Sequence, residues 1–255
     1  MIVMAVAAPL ITPTDPYDTQ YIKEARDMPS LNHIMGVDSV GRDLWSRIAY
    51  GARMSLFVGF AATTISFLIG MPIGALSGFL GGAVDWFIYR LASAITVIPG
   101  LLFAILIVST LGGGVWNTIL AVSFTGWVGA YRLVRGQVLS LRERTFVEAA
   151  RSIGAGTWHI IWKHLVPNSL APLLVAISFA VPAAITAEAG LSFLGVGVKP
   201  PTPTWGAMLS EGLSQMMSAW HLSFFPGLMI GLTLLASSFI GDALRDVLDP
   251  STNVV

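Results

Sequence analysis

Catalysis needs reactive side chains that converge, so the titratable residues come first. The lysines are Lys23, Lys163 and Lys199, and none follows a glycine. A phosphate-binding loop ending in Gly-Lys is therefore absent, and with it that route to nucleotide hydrolysis by this chain. The histidines, His33, His159, His164 and His221, are scattered and form neither a His-Glu-x-x-His pair nor a spaced metal cluster. There is no cysteine, which removes disulfides, thiolate metal sites and cysteine nucleophiles. With no convergent nucleophile, base or metal set, the residues do not read as an enzyme. Two features remain. Glu148 is followed directly by Ala149 and Ala150 and, after three more residues, by Gly154. Glu188 follows a run of 24 residues, 164–187, without Lys, Arg, Asp or Glu.

The elements that must position these residues are membrane helices. The chain has 255 residues, of which 55% are hydrophobic and 11% charged. A soluble domain carries about 25% charged residues, and so few here would leave large apolar patches in water. Net charge is zero, so the dense basic face that nucleic acid requires is missing. Uncharged runs cover 54–84, 91–131, 164–187 and 212–241. A crossing takes about 20 apolar residues, so the second run holds two helices, with Gly112, Gly113 and Gly114 as the turn. The prediction is five full spans, near 54–78, 87–110, 115–136, 169–190 and 223–246, all helical because the runs are continuous rather than alternating. Met1–Ile11 is apolar but, at about 1.5 Å per residue, reaches only about half of a 30 Å core. It is expected to be the end of a first helix whose beginning is missing, followed by an extracytoplasmic segment at 12–53.

Basic residues set the orientation. Arg132, Arg135, Arg142, Arg144, Arg151 and Lys163 fall within 32 residues, which makes that loop cytoplasmic. Counting from it puts 191–222 outside. Arg42, Arg47 and Arg53 then lie on the outer side, against the rule. Gly70, Gly74 and Gly78 recur every four residues, the spacing at which helix backbones approach closely in lipid. Pro72, Pro99 and Pro182 fall inside spans and are expected to bend them. A charge at mid-membrane costs about 2.5–3.5 kcal/mol on insertion scales. Glu188 therefore admits two readings: it lines a translocation path, or it sits at the outer headgroup level. His221, beside Trp220, reads as an interfacial residue.

The cytoplasmic loop, about 140–167, has two candidate helix starts of Ser/Thr-x-x-Glu form, Ser140–Glu143 and Thr145–Glu148. Phe146, Ala149, Ala150 and Ile153 recur at helical spacing, Gly154 and Gly156 interrupt, and Trp158, Ile161 and Trp162 follow before Pro167. The result is a helix, a turn and a helix, an apolar knob on a basic background. A bilayer surface or a protein groove would each bury it.

Glu148-Ala149-Ala150, Gly154 and the exit at Pro167 resemble the EAA loop of ABC importer permeases. At its end the chain has His164-Leu165-Val166-Pro167 where the general pattern has Ile-x-Leu-Pro. Residues 36–56, 188–211 and 241–250 resemble, respectively, the approach to the second span, the outer loop after the fifth and the C-terminal end of the C-type permeases of peptide, nickel and opine importers. The resemblance covers nearly the whole chain. It implies an all-α integral membrane protein with a type I ABC importer transmembrane domain over 54–250, multi-pass in a bacterial or archaeal cytoplasmic (inner) membrane. It implies Glu148, Ala149, Ala150 and Gly154 as contacts to the ATPase; the alternative for Glu148 is a helix cap. It further implies a second permease subunit in a heterodimer, two ATP-binding subunits that hold ATP and Mg, and an extracytoplasmic solute-binding protein. No cofactor is expected in this chain. The expected cargo is di- or oligopeptides, with nickel or another small solute as the alternative in the same role. An ion-coupled secondary transporter is the more distant reading.

Overall fold

The computed structural model describes residues 1–248. The expectation for Asp249 and Pro250 lies outside them. Among the described residues there is no strand, only an isolated antiparallel bridge between Val37 and Asp43. Eleven α-helices follow one another: α1 (Ile2–Ile11), α2 (Leu44–Leu80), α3 (Gly82–Ile95), α4 (Gly100–Leu111), α5 (Val115–Leu141), α6 (Thr145–Ser152), α7 (Thr157–Ile160), α8 (Val166–Asn168), α9 (Leu170–Phe193), α10 (Trp205–Leu213) and α11 (His221–Leu248). Helical backbone is what a hydrocarbon solvent allows, because each N–H and C=O is paired within the segment.

Three helices, α2, α9 and α11, are long and apolar enough to cross a membrane. By length and composition the count among the described residues is three, or four with the bent pair α3–α4 taken as one span, where five were expected. The span expected at 87–110 is broken into α3 and α4, which bend by 81°. The break falls at Thr96–Pro99, where Pro99 has no N–H to continue the ladder. α5 has the length, but Asn117, Thr118, Ser123 and Thr125 make it less apolar than the three. Pro72 and Pro182, by contrast, lie within the unbroken α2 and α9.

The chain forms two compact units. The first takes residues 1–61, 104–122 and 182–236; the second takes 62–103, 123–181 and the C-terminal stretch from 237. In the second unit the glycine repeat of α2 is a contact surface. A β-carbon on Gly70 would lie 2.5 Å from the Trp127 carbonyl oxygen, one on Gly74 2.6 Å from that of Tyr131, and one on Gly78 2.9 Å from that of Arg135. The partner positions advance by four as the glycines do, so α2 and α5 run parallel there. Asp85 on α3 joins them. Its carboxylate accepts two 2.6 Å bonds from Arg135 and one at 2.5 Å from the Ser77 hydroxyl. Its partner lies 50 residues away and gives no local signal in the sequence.

In the first unit the segment entering α2 is held by charge. Asp43 caps α2, accepting from the Ser46 N–H at 2.8 Å and its hydroxyl at 2.9 Å. Arg42 and Arg47 both reach Asp38 Oδ2, at 2.6 and 3.0 Å, and both reach Glu211 Oε2 on α10, at 3.4 and 3.3 Å. Burial holds the Glu211 carboxyl above its usual range, against the pull of Arg42. Arg42 and Arg47, two of the three arginines that run against the charge rule, are thus each paired with acids within the fold. His221 is fully buried, with its ring against Gly36.

Two outcomes test these contacts. Gly74→Leu is expected to cost about 1–3 kcal/mol through overpacking against α5, lowering the thermal unfolding midpoint in detergent. Gly129→Ala, which meets open space, is the control and leaves the midpoint nearly in place. Arg47→Met leaves Asp38 with Arg42 alone, so the loss is expected at the lower end of the about 3–5 kcal/mol typical of a broken buried pair. Equal midpoints for Arg47→Met and the parent would count against the network.

Candidate functional site: the α6 loop and the Glu188 cluster

The loop is built on α6. Its N-cap is Arg144, without a side-chain cap bond, and Thr145 is already inside the helix. Ser140 belongs to α5. Neither Ser/Thr-x-x-Glu start is therefore used as a capping box. The Glu148 carboxylate lies in the first turn and makes no hydrogen bond or ion pair among the described residues. The helix ends where Gly154 takes φ +82°. Its N–H donates to the Arg151 carbonyl at 2.9 Å, and the Ala155 N–H donates to that of Ala150 at 3.0 Å. This pair closes a Schellman motif, which favours glycine at the left-handed position. A β-carbon there would meet nothing, so backbone conformation, not space, calls for glycine.

α6 turns two faces in opposite directions. Val147 and Ala150 point inward and pack with Ala75 of α2, Val134 and Val138 of α5, and Leu173 of α9. Ile160, Ile161 and Leu165 complete that core from the second half of the loop. The other face holds Phe146, Glu148, Ala149 and, past its end, Ile153, all exposed. Ile153 is 86% exposed and Trp158 60%. Of the residues singled out in the sequence, Glu148, Ala149 and Gly154 share the outer surface, while Ala150 is 6% exposed and belongs to the foundation. A π-helical turn, Ile161–Leu165, precedes Pro167 and α8.

The basic cluster that oriented the chain also ties this loop down. Arg142 donates to the Gly78 carbonyl at the end of α2, at 3.0 Å. Arg151 lies 5.0 Å from the Phe79 ring centroid. Arg132 donates to the Thr96 hydroxyl at 2.9 Å. Sequence spacing showed where these arginines cluster; it could not show which carbonyl or ring each one meets.

Glu188 lies in the other unit. Its side chain is 0% exposed. One oxygen accepts from the Ser192 hydroxyl at 2.7 Å, the other from the Ser55 hydroxyl of α2 at 3.2 Å. Each serine also accepts a backbone bond, Ser55 from the Trp205 N–H and Ser192 from the Val198 N–H, both at 3.2 Å. The Trp205 indole donates to the Ile48 carbonyl at 3.1 Å. Glu188 therefore joins α2, α9 and the start of α10. Ser55 and Ser192 were not singled out from sequence, where a serine in an apolar run carries no distinguishing mark.

The chain's relatives match this arrangement. The family of the binding-protein-dependent transport system inner membrane component matches residues 70–254. The dipeptide transport system permease protein DppC of Bacillus subtilis (strain 168) is 42% identical over 251 residues, 98% of this chain and 78% of that protein. The glutathione transport system permease protein GsiD of Pectobacterium atrosepticum is 42% identical over 238 residues, 92% of this chain and 79% of that protein. A chain of the MetNI methionine ABC transporter, solved in inward-facing conformations, is similar in fold, with a TM-score of 0.64, 18% identity, and coverage of 81% of this chain and 97% of that one. The exposed Glu-Ala rim, its buried footing on the membrane helices and these matches agree: the chain belongs to the family of binding-protein-dependent transport system inner membrane components.

Proposed function

We propose that this chain is one membrane-spanning subunit of an ATP-driven importer that moves di- or oligopeptides across the cytoplasmic (inner) membrane by alternating access. The observation that carries this reading is the loop: an exposed Glu148, Ala149 and Ile153 surface whose underside packs in one buried cluster with α2, α5 and α9. A close-packed interior transmits strain instead of absorbing it. A partner ATPase gripping the outer face would therefore move three membrane helices through Val147 and Ala150. Gly154 serves by fixing where α6 ends, and Ala150 by seating it, so the direct contacts fall to Glu148 and Ala149. The partners in this reading are a second permease subunit, two ATP-binding subunits holding ATP and Mg, and an extracytoplasmic solute-binding protein.

Five crossings fit this role: α2, the bent pair α3–α4 taken as one, α5, α9 and α11. The parallel run of α2 and α5 supports the count, since the chain between them must return to the side where α2 began. The antiparallel run of α2 and α9 agrees: Ser55 meets Glu188, and a β-carbon on Gly59, one turn further along α2, would meet Ile185, one turn earlier in α9. Peptide cargo is supported by the names of the relatives. DppC and GsiD stand at the same identity, 42%, so similarity to this chain does not choose between a dipeptide and glutathione. Nickel or another small solute remains the alternative cargo in the same role. An ion-coupled carrier would draw on Glu188, the charged candidate near a span, and both oxygens of that carboxylate are engaged.

Glu148→Ala and Ala149→Asp both alter the exposed face and leave the foundation intact. In proteoliposomes with the partner ATPases, each is expected to lower ATP-driven dipeptide uptake at least about tenfold, the effect of about 1.4 kcal/mol at the contact. Membrane insertion and unfolding midpoint should stay near the parent values. Normal uptake with both variants would sink the coupling role.

A further inference from the structure

Three arginines lie on the segment that leads into and along the first turns of α2. Arg42 and Arg47 are engaged by Asp38 and Glu211. Arg53 is not: among the described residues it has no acid within ion-pair distance. Its guanidinium lies 5.7 Å from the Tyr50 ring centroid, and its side chain is exposed. It lines a half-open cleft of about 380 Å³ with Tyr17, Tyr50, Met54, Phe57 and Pro203. These walls come from the segment before α2, from α2 itself and from the loop before α10, all within one compact unit.

The chemistry is specific. An unpaired guanidinium offers a planar fork of donors that matches a carboxylate. Aromatic faces around it take an apolar or aromatic side chain and favour a cation above them. The volume falls within the about 300–1,000 Å³ of small-ligand sites. The cleft has one basic residue among its six lining residues, whereas anionic lipid headgroups are drawn by clusters of Lys and Arg. A single cation with aromatic walls fits a singly charged carboxylate next to a hydrophobic side chain.

We infer that this cleft receives the C-terminal end of a peptide, with Arg53 pairing the carboxylate and Tyr17, Tyr50 and Phe57 holding the last side chain. The inference rests on the peptide-importer reading and adds a contact to it: cargo meets this chain at the start of α2, on the side that the charge pattern places outside. Arg53 then gives a role to an outer arginine that the acid network leaves free.

The test uses the whole importer in nanodiscs and a photoreactive dipeptide, alanyl-benzoylphenylalanine, as the free acid and as the C-terminal amide. Crosslinks on this chain are mapped by mass spectrometry. The free acid is expected to label the stretch from Tyr50 to Phe57 about tenfold more than the amide, the scale of one charge-assisted contact. Arg53→Gln should abolish that preference, and Arg53→Lys should keep part of it. Equal labelling by acid and amide, or a preference that survives Arg53→Gln, would overturn the assignment. So would phosphatidylglycerol retained by the parent and lost from Arg53→Gln in native mass spectrometry, which would assign the cleft to a lipid phosphate. ATP-driven uptake of alanyl-phenylalanine is measured in parallel. Uptake without acid-dependent labelling would remove the cleft alone; acid-dependent labelling without uptake would remove the import reading and keep the cleft.

Discussion

A backbone in hydrocarbon has no water to bond with, and this constraint shapes everything else in the chain. It makes the long segments helical, because only a helix pairs its polar groups within itself. It also makes each departure from helix informative. The break at Thr96–Pro99 occurs where a proline withholds its N–H, while Pro72 and Pro182 are absorbed within helices that continue through them. The same constraint governs charge. Glu188, inside a helix apolar enough to cross a membrane, is met by two hydroxyls and wholly enclosed.

Close helix approach is the second consequence. Lipid tails are as apolar as leucine, so helices in a bilayer gain little from hiding apolar side chains and rely on packing. The Gly70, Gly74 and Gly78 repeat brings α2 against the backbone of α5. Asp85 and Arg135 then fix α3 to the same pair, and Arg142 and Arg151 fasten the α6 loop to the end of α2. The loop is thus packed on α2, α5 and α9 through Val147 and Ala150.

The outer segment shows a different economy of charge. Asp38, Arg42, Arg47 and Glu211 form a shared network in which each arginine meets both acids. This network spans more than 160 positions of sequence, and it binds the approach to α2 to α10. Glu211 lies too far along the chain for sequence spacing to mark it as a partner of Arg42 and Arg47.

Residue order alone determined the membrane class, the helical content and the family resemblance, because composition, uncharged run length and the Glu-Ala-Ala pattern are one-dimensional quantities. It also marked the glycine repeat as a contact surface. It could not count the crossings, since a break at Pro99 and the polar residues of α5 act through geometry and helix-wide balance, not through a missing run. Nor could it orient the residues of α6. The spacing of Phe146, Ala149, Ala150 and Ile153 reads as one face, yet Ala150 is buried and the others are exposed, because the foundation beneath α6 comes from three distant helices. Glu188 and Asp85 made the same point with charge: a carboxylate's role depends on which hydroxyl or guanidinium arrives beside it, and only the tertiary structure brings those partners together.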